Sequence, residues 1–155
     1  KLIKSTKEVN IDTDLELMLP DDYVSSTEER LSLYQKLADI QNAIDLSKFE
    51  NELKDRFGDL PSEAINLLKS VELKWLAAEI GFDKLVVKNK VFLGYFPANP
   101  QDKFYQSDKF KKIIAYLTQN PKEATLKEKN NQLMMRKDNV KNVDEVNLVL
   151  NRILA

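Results

Sequence analysis

The chain has 155 residues, of which 43% are hydrophobic and 32% charged, and it contains neither histidine nor cysteine. This size and composition are typical of one globular domain with a substantial buried core. The missing residue types exclude disulfides, zinc sites of the finger or hydrolase type, and nucleophilic relays that use histidine. Its three glycines, Gly58, Gly81 and Gly94, are too few and too far apart for either glycine-rich phosphate-binding motif. No apolar run reaches the roughly 20 residues of a membrane-spanning helix.

The net charge of −1 conceals an uneven distribution of charged side chains. Residues 8–63 carry 15 acidic and 5 basic side chains, whereas residues 64–155 carry 10 acidic and 16 basic ones. An acidic half that faces outward would suit a basic partner. A highly charged surface without any specific partner is the alternative.

Residues 9–19 alternate between apolar and polar side chains, which predicts a strand with one face in solvent. Pro20 ends the pattern. Because a lone strand would leave backbone groups unpaired, we expect this strand to join a sheet formed by the later strands.

Two helices are predicted next. The first spans residues 26 to about 42, where Ser26 and Glu29 have the spacing of a capping box. The second begins near Ser47 and ends at Gly58, because glycine suits the left-handed position that follows a helix.

A third helix is predicted from Pro61, which suits a first helical turn, to about Ile80. Its apolar stripe includes Trp75, for which core packing is the expected role. In the later strand that contains Met134 and Met135, only one of the two side chains is expected to point inward.

The second half of the chain has the pattern of two hairpins and two helices. The predicted strands cover 84–88, 91–96, 124–128 and 132–137, with turns at 89–90 and 130–131, and the predicted helices cover 107–119 and 142 to the end. The sequence therefore predicts an α+β fold, in which a small sheet of the N-terminal strand plus two hairpins packs with about five helices.

Two groups of residues suggest binding only weakly. Asp12, Asp14 and Glu16 form an acidic row on the first strand, but they lack the glycine and the distal glutamate of a calcium loop, so a solvated strand face is favoured. The basic stretch 103–141 includes aromatic residues, as in proteins that bind single-stranded nucleic acid. Its Phe110, however, falls on the apolar stripe of a predicted helix, where core packing is expected.

The most suggestive carboxylates are Glu52 and Asp55, which lie three residues apart on the second predicted helix and so share a face. General acid–base catalysis would need a cleft that separates their pKa values, and nothing in the sequence indicates one. Arginine binds such carboxylates through charge-assisted, often bidentate hydrogen bonds. The alternatives are therefore a docking site for arginine or a solvated helix face.

Three motifs carry a more specific resemblance over about residues 9–82. They are a strand that ends in Pro-Asp-Asp-Tyr at 20–23, a helix with Glu-Arg-Leu-Ser-Leu-Tyr-Gln-Lys-Leu-Ala at 29–38, and Glu-Leu-Lys-Asp-Arg-Phe-Gly-Asp-Leu-Pro at 52–61. Together they resemble the C-terminal domain of the bacterial transcription-repair coupling factors. From residue 83 onward the resemblance concerns the order of elements more than any motif.

The resemblance implies that this chain is a fragment of a large cytoplasmic ATP-driven DNA translocase, which displaces stalled RNA polymerase and recruits nucleotide-excision repair. The fragment would be non-catalytic and hold no cofactor or metal, since ATP and Mg²⁺ belong to a motor N-terminal to it. In the family this domain is regulatory. It packs on a UvrB-like N-terminal module, masks the surface that binds UvrA, and restrains the motor.

The resemblance also implies roles for individual residues. Glu52 and Asp55 would form the interdomain interface with arginines of the UvrB-like module. Arg30, Tyr34, Arg56, Phe57, Gly58 and Pro61 would be structural members of the motifs. Residues 1–8 would be a linker from the preceding region, and 9–155 a single C-terminal regulatory domain. A nucleic-acid-binding module that uses the basic second half is the alternative function.

Overall fold

The computed structural model describes residues 2–155 of the chain, which form five helices and five strands. The helices are α1 (Thr27–Ala38), α2 (Ala43–Phe57), α3 (Ser62–Ile80), α4 (Asp108–Gln119) and α5 (Val143–Leu154). The strands are β1 (Asn10–Thr13), β2 (Lys84–Lys88), β3 (Val91–Tyr95), β4 (Thr125–Lys129) and β5 (Gln132–Lys137). A single 3₁₀ turn at Lys103–Gln106 precedes α4, in a stretch for which the sequence predicted no element.

All five strands join one sheet in the order β1-β2-β3-β5-β4. The first strand pairs parallel with β2, and the remaining neighbours are antiparallel. The predicted α+β fold, with the N-terminal strand and two hairpins in one sheet, is confirmed. So are both hairpin turns, in which Asn89, Lys90, Asn130 and Asn131 all adopt the positive φ of a two-residue turn.

The predicted strand over 9–19 is wrong in length, because β1 ends at Thr13. Beyond this point the Thr13 hydroxyl donates to the carbonyl of Val87, 2.7 Å away, and accepts from the N–H of Leu15. The partner strand β2 itself ends at Lys88 and turns away into the hairpin. The alternation over 14–19 therefore reflects burial of apolar side chains along an irregular segment rather than further strand pairing.

The first two helices also differ from their predicted bounds. The Ser26 cap is confirmed, since its hydroxyl accepts from the N–H of Glu29, but α1 ends at Ala38 instead of near residue 42. The second helix starts four residues earlier than predicted. Asn42 caps it by accepting from the N–H of Asp45 at 2.8 Å, which places Ser47 inside the helix.

Two hydrophobic clusters share α3. The sheet cluster combines one face of the sheet with α4, α5 and the α3 residues Leu73, Leu76, Ala77 and Ile80. The helical cluster combines α1, α2 and the α3 residues Ala64, Leu68 and Trp75. Trp75 is buried as predicted, whereas Ile65 in the first turn of α3 is exposed. Because α3 is covered on two sides, a single apolar stripe describes it incompletely.

As expected, only one of Met134 and Met135 points into the core between the sheet and the helices. Met135 belongs to the sheet cluster, under the helices. Met134 lies on the opposite face of the sheet between its register neighbours Tyr95 and Lys127, and it is only 5% exposed. Burial of Met134 thus does not require a covering helix, because neighbouring long side chains can shield it.

Residues 2–8 run along the rest of the protein. Lys4 donates its backbone N–H to Gln41 at 2.7 Å, and Leu2 accepts from the N–H of Ala43. Lys7 forms an ion pair with Asp83 at 2.9 Å. Whether residues 1–8 serve as a linker stays a prediction. Across residues 2–155, every helix is too short or too polar to span a bilayer.

Candidate functional site

Glu52 and Asp55 lie on α2, which packs against α1. Two side chains of α1, Arg30 and Tyr34, hold that helix in place. Arg30 donates to the carbonyl of Val24 at 2.6 Å and to the Thr27 hydroxyl. The Tyr34 hydroxyl accepts from the buried N–H of Leu19 at 2.7 Å. Both residues therefore fix the loop that enters α1.

The end of α2 is fixed from the same loop. The Tyr23 hydroxyl donates to the carbonyl of Gly58 at 2.8 Å, and the Tyr23 ring lies 5.7 Å from that of Phe57. Gly58 ends the helix with φ +89°, a conformation that residues with a Cβ rarely adopt. Pro61 occupies the N-cap position of α3 instead of its first turn.

A network of ion pairs connects the two helices above these anchors. One carboxylate oxygen of Glu52 accepts from Lys36 of α1, and the other accepts from Arg56 at 3.3 Å. The same Arg56 guanidinium pairs with Glu29 of α1 and lies 4.8 Å from the centre of the Phe57 ring. Arg56 and Glu52 each contact both helices through this network, so it clamps α1 against α2.

The surroundings lower the pKa of Glu52. The hydrogen bond from Lys36 is the largest cause, and partial burial opposes it. A general acid needs a raised pKa, so this shift has the wrong direction for such a role. Glu52 is therefore built to stay ionised and to bind cations.

Asp55 differs from Glu52 in having no such partner. It is exposed, and the ion pairs of α2 within residues 2–155 involve Glu50, Glu52, Lys54 and Arg56 but not Asp55. The structure thus places one engaged and one free carboxylate on neighbouring turns of the same helix.

Sequence reasoning missed the α1 side of this surface. A groove beside the network is lined by Ser26, Glu28, Glu29, Ser32, Leu33 and Arg56. Glu29 lies 27 positions before its partner Arg56. No periodicity or spacing in the sequence relates residues so far apart, so only the packing of α1 on α2 reveals the contact.

Two of the three carboxylates in the acidic row of residues 12–16 are engaged within the chain. Asp12 pairs with Lys88 at 3.0 Å, and Asp14 accepts from the N–H of Asn89 at 2.9 Å. Among residues 2–155 no cluster of three or more side chains that could hold a metal ion is found.

The aromatic residues of the basic stretch pack against one another. The rings of Phe104, Tyr105 and Phe110 lie 5.1–5.5 Å apart, and those of Phe104 and Phe110 also contact buried Phe96. The Tyr105 hydroxyl donates to the carbonyl of Pro97. These rings stabilise the connection between β3 and α4, an arrangement that does not favour the stacking of nucleic-acid bases on them.

Comparison with known proteins relates the chain to one family. Residues 13–107 match the family model described as the TRCF domain. The transcription-repair-coupling factor of Rickettsia prowazekii (strain Madrid E) is 30% identical over 142 residues, which cover 91% of this chain and 12% of the relative. That of Buchnera aphidicola subsp. Baizongia pistaciae is 28% identical over 151 residues, covering 93% of this chain and 20% of the relative. The chain thus spans a small part of the length of these curated relatives.

A solved structure has the same fold. It is titled as the crystal structure of the C-terminal domain of transcription-repair coupling factor, and it superposes with a TM-score of 0.75 over 96% of this chain and 94% of that one. Sequence identity to it is 19%, so the likeness concerns the fold. The family match and the curated relatives show that the chain belongs to the TRCF domain family of the transcription-repair-coupling factors.

Proposed function

We propose that this chain is a non-catalytic regulatory domain of a transcription-repair coupling factor, an ATP-driven DNA translocase of the bacterial cytoplasm. It packs on the UvrB-like N-terminal module of the same protein through Glu52 and Asp55. In that position it masks the surface that binds UvrA and restrains the motor until RNA polymerase is engaged. ATP and Mg²⁺ are bound by the motor, and this domain needs no cofactor for its role.

The observation that carries the proposal is the exposed, unpaired carboxylate of Asp55 beside the ionised Glu52 on a firmly anchored helix. A planar guanidinium recognises the two oxygens of a carboxylate through parallel, charge-assisted hydrogen bonds. The charge of the segment points the same way, since residues 8–63 contain three times as many acidic as basic side chains. The negative charge of this segment would therefore attract a module that presents arginines, and Glu52 and Asp55 would accept hydrogen bonds from them.

An interface of this kind suits a reversible clamp. Exposed ion pairs contribute about 0–1 kcal/mol each, so a few of them hold two domains together without locking them. A coupling of about 1–3 kcal/mol shifts a conformational equilibrium roughly 5- to 150-fold. The contact can thus hold the domain in place and still be released when the motor binds polymerase.

The proposal is tested by measuring the affinity of this chain, supplied in trans, for the UvrB-like module. We expect Glu52→Ala with Asp55→Ala to weaken binding, because each change removes an acceptor for an arginine of the module. A matched control replaces Glu79 of α3 and Glu128 of β4, two exposed carboxylates in the other half of the chain, with alanine. The control changes the net charge equally and is expected to bind almost as well as the wild-type chain.

Equal affinities for the wild-type chain and the Glu52→Ala/Asp55→Ala variant would contradict the proposed interface. Equal weakening by the two double variants would show that only net charge matters. If the folded wild-type chain does not bind the module at all, the proposed partner itself is wrong.

A further inference from the structure

Glu52 and Asp55 form an acidic surface on α2. We propose that Arg56 tunes the affinity of this surface for its partner, because Arg56 binds the Glu52 oxygen that an arginine of the partner needs. Glu29, held by the same guanidinium, then belongs to the docking surface as well. This inference rests on the proposed function, because it concerns the same partner and the same contact.

The first step is the occupancy of Glu52. Both of its carboxylate oxygens are used inside the chain, one by Lys36 and one by Arg56. A carboxylate binds a guanidinium most strongly when both oxygens accept parallel hydrogen bonds. A partner's arginine can therefore make this bidentate contact only if the cations already present give way.

The second step is the ease of that exchange. The bond from Arg56 to Glu52 is long, at 3.3 Å, and the two side chains are 42% and 32% exposed. Exposed pairs of this kind are weak and exchange readily with other ions. Arg56 also keeps a second carboxylate, Glu29, and the face of Phe57, so it retains partners when it releases Glu52.

The third step concerns Glu29. It lines the groove between α1 and α2 together with Glu28 and Arg56. Its only ion pair within residues 2–155 is the one to Arg56. A partner that carries two arginines can therefore bind Glu52 and Asp55 with one, and with the other the Glu29 oxygen that Arg56 does not use.

The test compares Arg56→Gln with Lys54→Gln. Lys54 lies on the same helix, pairs with Glu50 at 3.1 Å and is 47% exposed, so its removal matches the loss of one exposed, paired cation. Removal of Arg56 frees one oxygen of Glu52 and the carboxylate of Glu29, while Lys36 stays on the other oxygen of Glu52. With the UvrB-like module as the probe, we expect Arg56→Gln to tighten binding about 2- to 5-fold beyond Lys54→Gln, as the loss of a competing surface pair implies.

A second comparison separates competition from a structural role of Arg56. In a chain that also carries Glu29→Gln and Glu52→Gln, the freed carboxylates are gone, so Arg56→Gln and Lys54→Gln should change the affinity equally. If Arg56→Gln weakens binding, or tightens it no more than Lys54→Gln in the chain with intact Glu29 and Glu52, the inference is overturned. The proposed function survives that result as long as Glu52→Ala/Asp55→Ala weakens binding. It fails together with the inference if the folded wild-type chain does not bind.

Discussion

The hydroxyl of Tyr34 accepts a hydrogen bond from the backbone N–H of Leu19, which is 1% exposed. In Tyr34→Phe this buried donor loses its acceptor while the ring remains. An unsatisfied buried donor costs about 1–3 kcal/mol, so we expect the free energy of unfolding to fall by that amount. Urea denaturation measures it, with Tyr95→Phe as control, since the Tyr95 hydroxyl forms no hydrogen bond within residues 2–155. Equal stabilities of the two variants would show that the Tyr34 hydroxyl has no anchoring role.

Single residues were predictable where their role is local. The Ser26 cap and the two asparagine-containing turns follow from spacing and backbone preference alone. The spacing of Glu52 and Asp55 also showed that they share a face. It did not show that Lys36 and Arg56 occupy Glu52 while Asp55 is free, because those contacts depend on how two helices pack.

At the scale of elements, the ion network between α1 and α2 makes the stability of the chain depend on pH. The bond from Lys36 lowers the pKa of Glu52 below its ordinary value of 4.5 in the folded protein. The folded state is therefore stabilised at pH values above 4.5, and this stabilisation is lost as the pH falls through the lowered pKa.

Two variants test this pH dependence. We expect the urea midpoint of the wild-type chain to fall more steeply than that of Glu52→Gln between about pH 6 and about pH 3. Lys36→Gln removes the largest cause of the lowered pKa and should flatten the profile in the same way. Profiles parallel to that of the wild-type chain in both variants would contradict the clamp between α1 and α2.

The bounds of the elements were predictable to the extent that they depend on local signals. The strand predicted over 9–19 ends early because its partner β2 ends at Lys88, and the sequence of one strand does not reveal the length of another. Similarly, α2 begins at Ala43 because Asn42 caps it in preference to Ser47. In both cases the bound predicted from a local pattern was wrong, because a residue outside that pattern sets it: Lys88 at the end of β2, and Asn42 at the start of α2.

At the scale of the whole molecule, α3 contributes buried side chains to both hydrophobic clusters. Neither cluster can therefore unfold α3 without removing part of the core of the other. Trp75, the only tryptophan, reports on the helical cluster. We expect its fluorescence and the far-UV circular dichroism to follow one coincident unfolding transition. Met135→Ala in the sheet cluster should destabilise the protein by about 2–5 kcal/mol and shift the Trp75 transition equally. Separate transitions would mean that the clusters are independent units.

In the proposed function, the acidic surface formed by Glu29 of α1 and by Glu52 and Asp55 of α2 docks on the UvrB-like module and masks its UvrA-binding surface. The most direct test is a competition experiment in which this chain, added in trans, displaces UvrA from the module. We expect the wild-type chain to displace UvrA, the Glu52→Ala/Asp55→Ala variant to do so only at higher concentration, and the Glu79→Ala/Glu128→Ala control to match the wild type. A wild-type chain that binds the module while UvrA stays bound would contradict this masking role.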